Sequence, residues 1–457
     1  MTTITYLGII IFLSLSLWII YGATYRLYLS PIAKFPGPKL AALTLWYEFY
    51  FNVIRDGQWL WEIKRMHEEY GPIVRINPYE LHIDDPEYYD ELYAGNTKKR
   101  EKYLWFARST GSQGSSFETI GHDHHRIRRN AVNPFFSKRS IVAMEPLIKS
   151  KISLLSNIFH SHFANQAPVN LRVVFSSLTL DVISDYCYGE AFGALTDKRL
   201  AEIWSNTLSQ VMSTTTIVMH LPIIPKILSC LPDKKTLSRL ADEGNILIGA
   251  GGETTAQTLA VLFYHLLDNP KMISRIKDEL GTLDEDITWK RLEKLPFLSA
   301  AITEALRLSG VTSRLPRIAP NEDMKFQQWT IPAGTPTSMS YYFLHHSPEI
   351  FPSPETFDPT RWISDSSSNG STTGDASRKH RLDKYFVPFG KGTRNCLGIN
   401  LAYAELFLTT AYILKRFDFE LYGTTKKDVE IKRDHFVGAP AAGSKGIRVI
   451  VKDDKGE

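Results

Sequence analysis

The chain has 457 residues, 43% of them apolar and 22% charged, and a formal net charge of +4. That is long enough for a large buried core, and the composition excludes disordered, collagenous and disulfide-rich classes. So mild a positive balance also argues against nucleic acid as a partner. Three cysteines, Cys187, Cys230 and Cys396, leave an odd one under any pairing, which fits a reducing, cytosol-facing compartment.

From Ile4 to Tyr25 no residue is charged, a run sufficient to cross a bilayer at roughly 20 residues per span. Arg26, Lys34 and Lys39 follow it, so the positive-inside rule places the body on the cytoplasmic side. A cleaved signal peptide is the rival reading, but a basic n-region and a small-x-small cleavage site are both missing. Residues 1–26 are therefore read as a membrane anchor. Residues 27–40, with Pro31, Pro36 and Pro38, form a stiff elbow that cannot continue the helix. Residues 41–457 make a single body.

Within that body, 45–70 reads as helical and aromatic-rich. "GPIVRINPYELHIDD" then alternates apolar and polar residues around a turn at Asn77 and Pro78, a strand–turn–strand signal. From about His122 helical patterns dominate. Leu171, Val174, Phe175 and Leu178 have the spacing of one buried helix face, with Cys187 as a packed small hydrophobe in the same segment. Arg239 to Leu267 predicts a helix of about 40 Å, enough to traverse a domain centre. Residues 364–377 are Ser/Gly/Asp-rich and predict a solvated loop, whose Asn369 sequon a cytosolic face leaves unmodified.

The most specific stretch is "FGKGTRNCLG", Phe389 to Gly398. A thiolate is a soft, anionic metal ligand that needs donors and positive charge around it. Gly390 and Gly392 let the chain turn so that N–H groups face the sulfur, and a helix starting near Leu397 brings its positive end to it. Gly398 permits close approach of a flat ligand, and Arg394 is placed to meet an anionic group on that ligand. The flat ligand that wants one thiolate is haem.

The string satisfies FxxGxRxCxG at every specified position, and on it the chain resembles the cytochrome P-450 family. Three further elements occur in that family's order: "AGGETT" (Ala250 to Thr255), "EALR" (Glu304 to Arg307) and "FDPTRW" (Phe357 to Trp362). The resemblance extends from the anchor to "FDFELY". In detail it is nearest to fungal microsomal secondary-metabolite enzymes of the trichodiene-oxygenase type.

The resemblance implies a mainly α fold with a small β region behind one N-terminal transmembrane helix, and haem ligated by Cys396. Thr254 and Glu253 would hold water and relay protons, although alone they read equally as a helix kink satisfied by back-bonding. Glu304, Arg307 and Arg361 would form a buried structural triad behind the cysteine loop. The haem propionates need cations, for which "HDHHRIRRNAVNPFFS" offers His125 and Arg126, with Arg317 and Arg394 further along. His122 takes a position often held by Trp, and Arg128 and Arg129 read as a solvated face.

The implied reaction inserts one oxygen atom of O2 into a lipophilic substrate, a terpenoid or other secondary metabolite. Electrons would come from NADPH through a separate membrane-bound reductase, with a cytochrome b5-type donor as a second source. The site of action would be the endoplasmic reticulum membrane, with the body in the cytosol. Lys391 and other basic residues near the cysteine face are candidate docking charges.

One departure from the family pattern lies near 221–242. There the roof of the substrate cavity reads as shortened, with several dozen residues missing around Cys230. It motivates one alternative reading, a haem-binding but inactive truncated variant; a second, a redox-independent haem-thiolate isomerase, would be favoured by loss of the Thr254/Glu253 pair, and both are present.

Overall fold

A computed structural model describes residues 2–108, 111–112, 114–221, 238–284, 287–310, 314–363 and 382–456. The predicted loop at 364–377 and most of the shortened segment at 221–242 lie outside the described residues. The architecture is mainly helical with small sheets, as expected.

Helix α1 (Thr2–Thr24) is apolar throughout. Together with the π-helical turn Tyr25–Leu29 it makes the exposed stretch Ile4–Leu29, long and apolar enough to cross a membrane. The expected helical region at 45–70 is interrupted. Short helices α2 (Lys39–Leu43) and α3 (Trp46–Phe49) lead into a π-helical turn, Tyr50–Ile54, before α4 (Trp59–Tyr70). The break comes at Asp56 and Gly57, both left-handed at φ 53° and 78°. A Cβ on Gly57 would stand 2.8 Å from the backbone of Asp434, so glycine lets a distant hairpin close on this turn.

Strands β1 (Ile73–Arg75) and β2 (Leu81–Ile83) pair antiparallel, with the Asn77 side chain closing the turn by accepting from the N–H groups of Tyr79 and Glu80. They join β3 (Glu101–Lys102), β5 (Arg317–Ile318) and β8 (Thr337–Ser338) in a sheet of order β1-β2-β8-β5-β3. A second sheet has order β4-β12-β9, from β4 (Val169–Asn170), β12 (Arg448–Asp454) and β9 (Phe417–Leu421). Two hairpins complete the β structure: β6 (Met324–Phe326) with β7 (Trp329–Ile331), and β10 (Arg433–His435) with β11 (Val437–Ala439).

The helical body contains α5 (His122–Val132), α6 (Glu145–Asn165), α7 (Leu171–Tyr188) and α8 (Lys198–His220). It continues with α9 (Ser238–Asp268), α10 (Pro296–Leu308) and α11 (Ile399–Arg416). Local chemistry sets the ends of α7: Asn170 accepts from the Arg172 N–H at its start, and Gly189 closes it in a left-handed conformation. Leu171, Val174, Phe175 and Leu178 are buried on it, as the spacing predicts.

Helix α9 is the predicted long helix, about 46 Å at 1.5 Å per residue. Its stretch Asp242–Asp268 is long and apolar enough to cross a membrane, but most of it is buried inside the body. Its glycines admit α7, since a Cβ on Gly251 would lie 2.9 Å from Ile183 Cγ1. A large core, including Phe175, Phe263, Leu298 and Leu408, fills the helical region. A second core, including Ile73, Leu81, Phe351, Trp362 and Val387, lies under the five-stranded sheet.

Candidate haem-thiolate site

The cysteine loop enters from the second core. Gly390 and Gly392 are left-handed, at φ 65° and 75°, and a Cβ on Gly392 would stand 2.2 Å from the Ala94 carbonyl oxygen. Only glycine fits there. The Cys396 N–H donates to Phe389 O at 2.9 Å, closing the loop. Helix α11 begins at Ile399, near Leu397 as expected, with Gly398 at its cap position. The Gly398 N–H points at the sulfur.

Cys396 is accessible because it lines a recess of about 610 Å³ shared with Arg126, Arg129, Asn130, Asn395 and Leu397. Protein nevertheless surrounds it closely enough that burial pushes its thiol above the ordinary value. The Gly398 N–H and the Arg129 charge act against that shift, as a thiolate socket requires.

A cluster of basic groups gathers around Arg394 of the loop, which is half-buried, while the other members are buried. Arg394 donates to the carbonyls of Thr119 at 2.7 Å and Ile120 at 2.5 Å, and its Nε has no partner. Arg317 is buried against the Tyr93 ring, 5.3 Å from its centroid. His125 is buried with Nδ1 unpartnered. Lys102, paired with Arg317 across β3 and β5, reaches Phe117 O and lies 3.4 Å from that ring's centroid.

These groups disfavour one another's charge. Burial, then Arg394, Lys102, Arg129 and Arg317 in turn, lower the His125 pKa to about 3. Burial and then Arg317 pull Arg394 down to about 9, and Lys102 is held well below its ordinary value by burial, Arg317 and Arg394. Among the described residues none of the four forms an ion pair. Buried, unpaired positive charge is costly and calls for an anion. A flat dianion with a metal at its centre answers both the sulfur and the cations, so the residues present fit haem.

Four positions singled out in the sequence have the following surroundings. Arg126 is exposed and belongs to the recess beside Cys396, apart from the buried cluster. Arg129, read as part of a solvated face, donates to Asn395 O at 3.0 Å and braces the cysteine loop, while Arg128 donates to Thr119 Oγ1 at 2.6 Å. His122 is turned to the Arg100 N–H at 3.3 Å. Lys102 was missed altogether: a lysine in a two-residue strand inside a basic run carries no signal in a single sequence.

On α9, Thr254 Oγ1 back-bonds to Ala250 O at 2.9 Å. Glu253 is buried and bound by Arg172 through Nε at 2.8 Å and Nη2 at 2.5 Å. Arg172 and Glu253 line a polar cavity of about 330 Å³ with Asp56, Arg433 and His435, next to the β10–β11 hairpin. Gln257, one turn on from Glu253, holds that hairpin by donating to Gly438 O at 2.9 Å. The hairpin's apex, Phe436, has φ 75° and stacks on Phe106 at 5.8 Å.

Behind the loop, Glu304 accepts from Arg307 Nε at 2.9 Å and Nη2 at 2.8 Å, and from Arg361 Nε at 3.0 Å. The sequence reading lacked its two other donors, Trp362 Nε1 at 2.8 Å and the Asp358 N–H at 3.0 Å. It also lacked His345, whose carbonyl accepts from Arg307 at 2.8 Å while its Nε2 accepts from the Val387 N–H at 3.0 Å. The triad thereby reaches the strand of chain that becomes the cysteine loop. Lys391, a candidate docking charge, is paired with Asp90 at 2.7 Å.

Comparison with known proteins agrees with this geometry. The family model for cytochrome P-450 matches residues 38–243 and 232–443, two stretches that meet in the segment read as shortened. Tryptophan 6-hydroxylase of Fusarium equiseti is 39% identical over 490 aligned positions, covering 94% of each chain. Conidiogenone synthase of Penicillium rubens is 37% identical, over 93% of this chain and 95% of its own. The cytochrome P-450 monooxygenase TRI4 of Fusarium sporotrichioides is 35% identical, over 92% and 90%. The chain belongs to the cytochrome P-450 family of haem-thiolate monooxygenases.

Proposed function

We propose that this chain is a membrane-anchored haem-thiolate monooxygenase of secondary metabolism, inserting one atom of O2 into a lipophilic substrate. Electrons come from NADPH through a separate reductase, with a cytochrome b5-type donor as a second source. The observation that carries the reading is Cys396 in its socket of glycine turns, Gly398 N–H and Arg129, two residues from Arg394 and its cluster of basic groups that form no ion pair among the described residues.

Haem, when bound, supplies the activation of O2 and the oxygen transfer. Cys396 would hold it through the sulfur, and Lys102, His125, Arg317 and Arg394 would meet its propionates. Glu304, Arg307 and Arg361 keep the loop in register. Arg172 orients the Glu253 carboxylate beside a solvent-fed polar cavity, from which protons pass along the helix to water held at Thr254. The recess with Arg126, Arg129 and Asn130 gives the reductase a concave, positively charged face within reach of the sulfur.

A terpenoid is the substrate class first expected from the sequence, and conidiogenone synthase and TRI4 are the relatives that favour it. The tryptophan 6-hydroxylase makes an indole-type aromatic the second candidate. The anchor and its flanking basic residues suit the endoplasmic reticulum membrane, with the body in the cytosol.

The reduced carbon-monoxide difference spectrum tests the assignment. The wild-type chain should show the red-shifted Soret band of thiolate ligation, and Cys396→Ser should lose it. An unaltered band in the variant would overturn the reading. NADPH consumption with a reductase, on terpenes and on indoles, then separates an oxygenase from an isomerase.

An inactive haem-binding variant remains the second reading, favoured by the split family match around 232–243. The alignment to the tryptophan hydroxylase, longer than this chain itself, points the same way. That reading predicts the thiolate band without substrate-dependent NADPH consumption.

A further inference from the structure

Arg317 takes its place from its own stretch of chain. Its backbone pairs with Lys102 of β3 and Thr337 of β8. Its Nη1 donates back to the carbonyls of Leu315 at 3.4 Å and Pro316 at 3.1 Å, and its guanidinium lies over the Tyr93 ring. The Tyr93 hydroxyl is fixed in turn, donating to Met339 O at 3.0 Å and accepting from the Met339 N–H at 3.2 Å. Among the described residues no acid holds Arg317, so the guanidinium follows the carbonyls of residues 315 and 316.

What fixes those two residues is Arg314. Its Nη2 donates to Glu48 Oε1 at 2.7 Å and its Nη1 to Glu80 Oε1, and all three side chains are buried. The Asn77 amide bridges the same carboxylates a second time, at 2.9 Å to Glu48 and 3.4 Å to Glu80, while Ser338 Oγ in β8 donates to Glu80 at 2.7 Å. Glu48 belongs to α3 and Glu80 to the β1–β2 turn, so one guanidinium ties together three distant stretches of chain. Burial works against its charge, but Glu80 and then Glu48 outweigh that and hold its pKa above the ordinary arginine value. Withdrawing Arg314 would strand two buried carboxylates, and Pro316 restricts the backbone between the two arginines.

We propose that Arg314, gripped between Glu48 and Glu80, is the positioning residue that aims Arg317, and that this buried junction sets how tightly the chain retains the propionate edge of haem. The proposal rests on the reading that Arg317 meets a propionate, and its test separates the two.

Haem loss from the loaded full-length chain to an excess of a haem-acceptor protein is followed in the Soret band. It is measured with haem and with haem dimethyl ester, whose esterified propionates carry no charge. The wild-type chain should hold haem longer than the ester. Arg317→Met should speed haem loss about ten- to a hundredfold and leave ester loss almost unaltered. Arg314→Lys keeps the charge but cannot fork between two carboxylates, and it should act as Arg317→Met does. Glu80→Gln, which leaves a balanced Arg314–Glu48 pair, should shift haem loss in the same direction by less, and it decides alone if Arg314→Lys does not fold. Adding Arg314→Lys to Arg317→Met should change nothing further. Haem loss unaltered by the junction variants, haem and ester loss speeded alike, or effects that add fully to Arg317→Met would overturn the proposal and leave the propionate reading standing. Equal loss of haem and ester from the wild-type chain, or an Arg317→Met variant that holds haem as well as wild type, would instead sink the propionate reading for Arg317 and the proposal with it.

Discussion

The cluster of Lys102, His125, Arg317 and Arg394, two of which donate to carbonyls within residues 117–120, is the sharpest residue-level feature of the site, and Lys102 tests its meaning. Its folded pKa lies well below its ordinary value, so the unfolded chain holds that proton more tightly. At neutral pH the charge costs the haem-free fold stability, and the cost is relieved only as pH rises toward the unfolded value of about 10.4. Lys102→Met should therefore raise the denaturation midpoint of the haem-free chain and weaken its retention of haem. A merely structural lysine would lower the midpoint and leave haem affinity alone. His125 gives the pH arm of the same measurement. Its pKa is lowered from an ordinary value of about 6.5 to about 3, so haem-free stability is complete above about 6.5 and drains away as pH falls through that window. Anionic propionates should flatten that slope. The sequence singles out Cys396, Arg394, Arg317 and His125 because motifs mark them; it passes over Lys102 and Arg129, whose contacts depend on what folds over them.

Elements were legible in proportion to their length. Helices α7 and α9 span several turns, so their apolar spacing shows in the sequence; two-residue strands such as β3 and β5 are too short to display alternation. The interruption at Asp56 and Gly57 was invisible for another reason, since it answers to the β10–β11 hairpin far along the chain. The paired glycines of α9 read as helix-loosening residues, and the packing supplies their cause. A Cβ on Gly251 meets Ile183 Cγ1 at 2.9 Å and Cβ at 3.2 Å, atoms fixed to the α7 backbone, whereas on Gly252 it meets the Trp204 ring at 3.3 Å. Alanine gains about 1 kcal/mol of helix propensity at either position. Overpacking costs about 1–3 kcal/mol and falls mainly on the first. Gly252→Ala should thus unfold near the wild-type midpoint and Gly251→Ala below it. A double-mutant cycle with Ile183→Ala should show the two positions coupled; additive losses would mean that the helices do not meet there.

At the scale of the whole molecule, Glu304 joins two cores. It is carried by α10, whose Leu298, Ile302 and Leu306 belong to the helical core, while Trp362, Phe351 and Val387 belong to the core under the sheet. One fully buried carboxylate accepts from two guanidinium groups, the Trp362 indole and the Asp358 N–H, and Arg307 passes the link through His345 to Val387. The sequence showed the three charges but not this span, because an E-x-x-R on a helix is equally a surface pair until its burial is known. Glu304→Gln keeps the shape and removes the charge, leaving two buried guanidinium groups with no anion between them. The expected loss is about 3–5 kcal/mol. Its form is as diagnostic as its size. In the wild-type chain, denaturant should abolish the haem Soret signal and the far-ultraviolet helix signal in one transition. In Glu304→Gln the cysteine loop should release haem at a lower denaturant concentration than the helices melt, splitting the two curves. A variant that shifts both curves together would show that the carboxylate serves overall stability without holding the socket to the helical body.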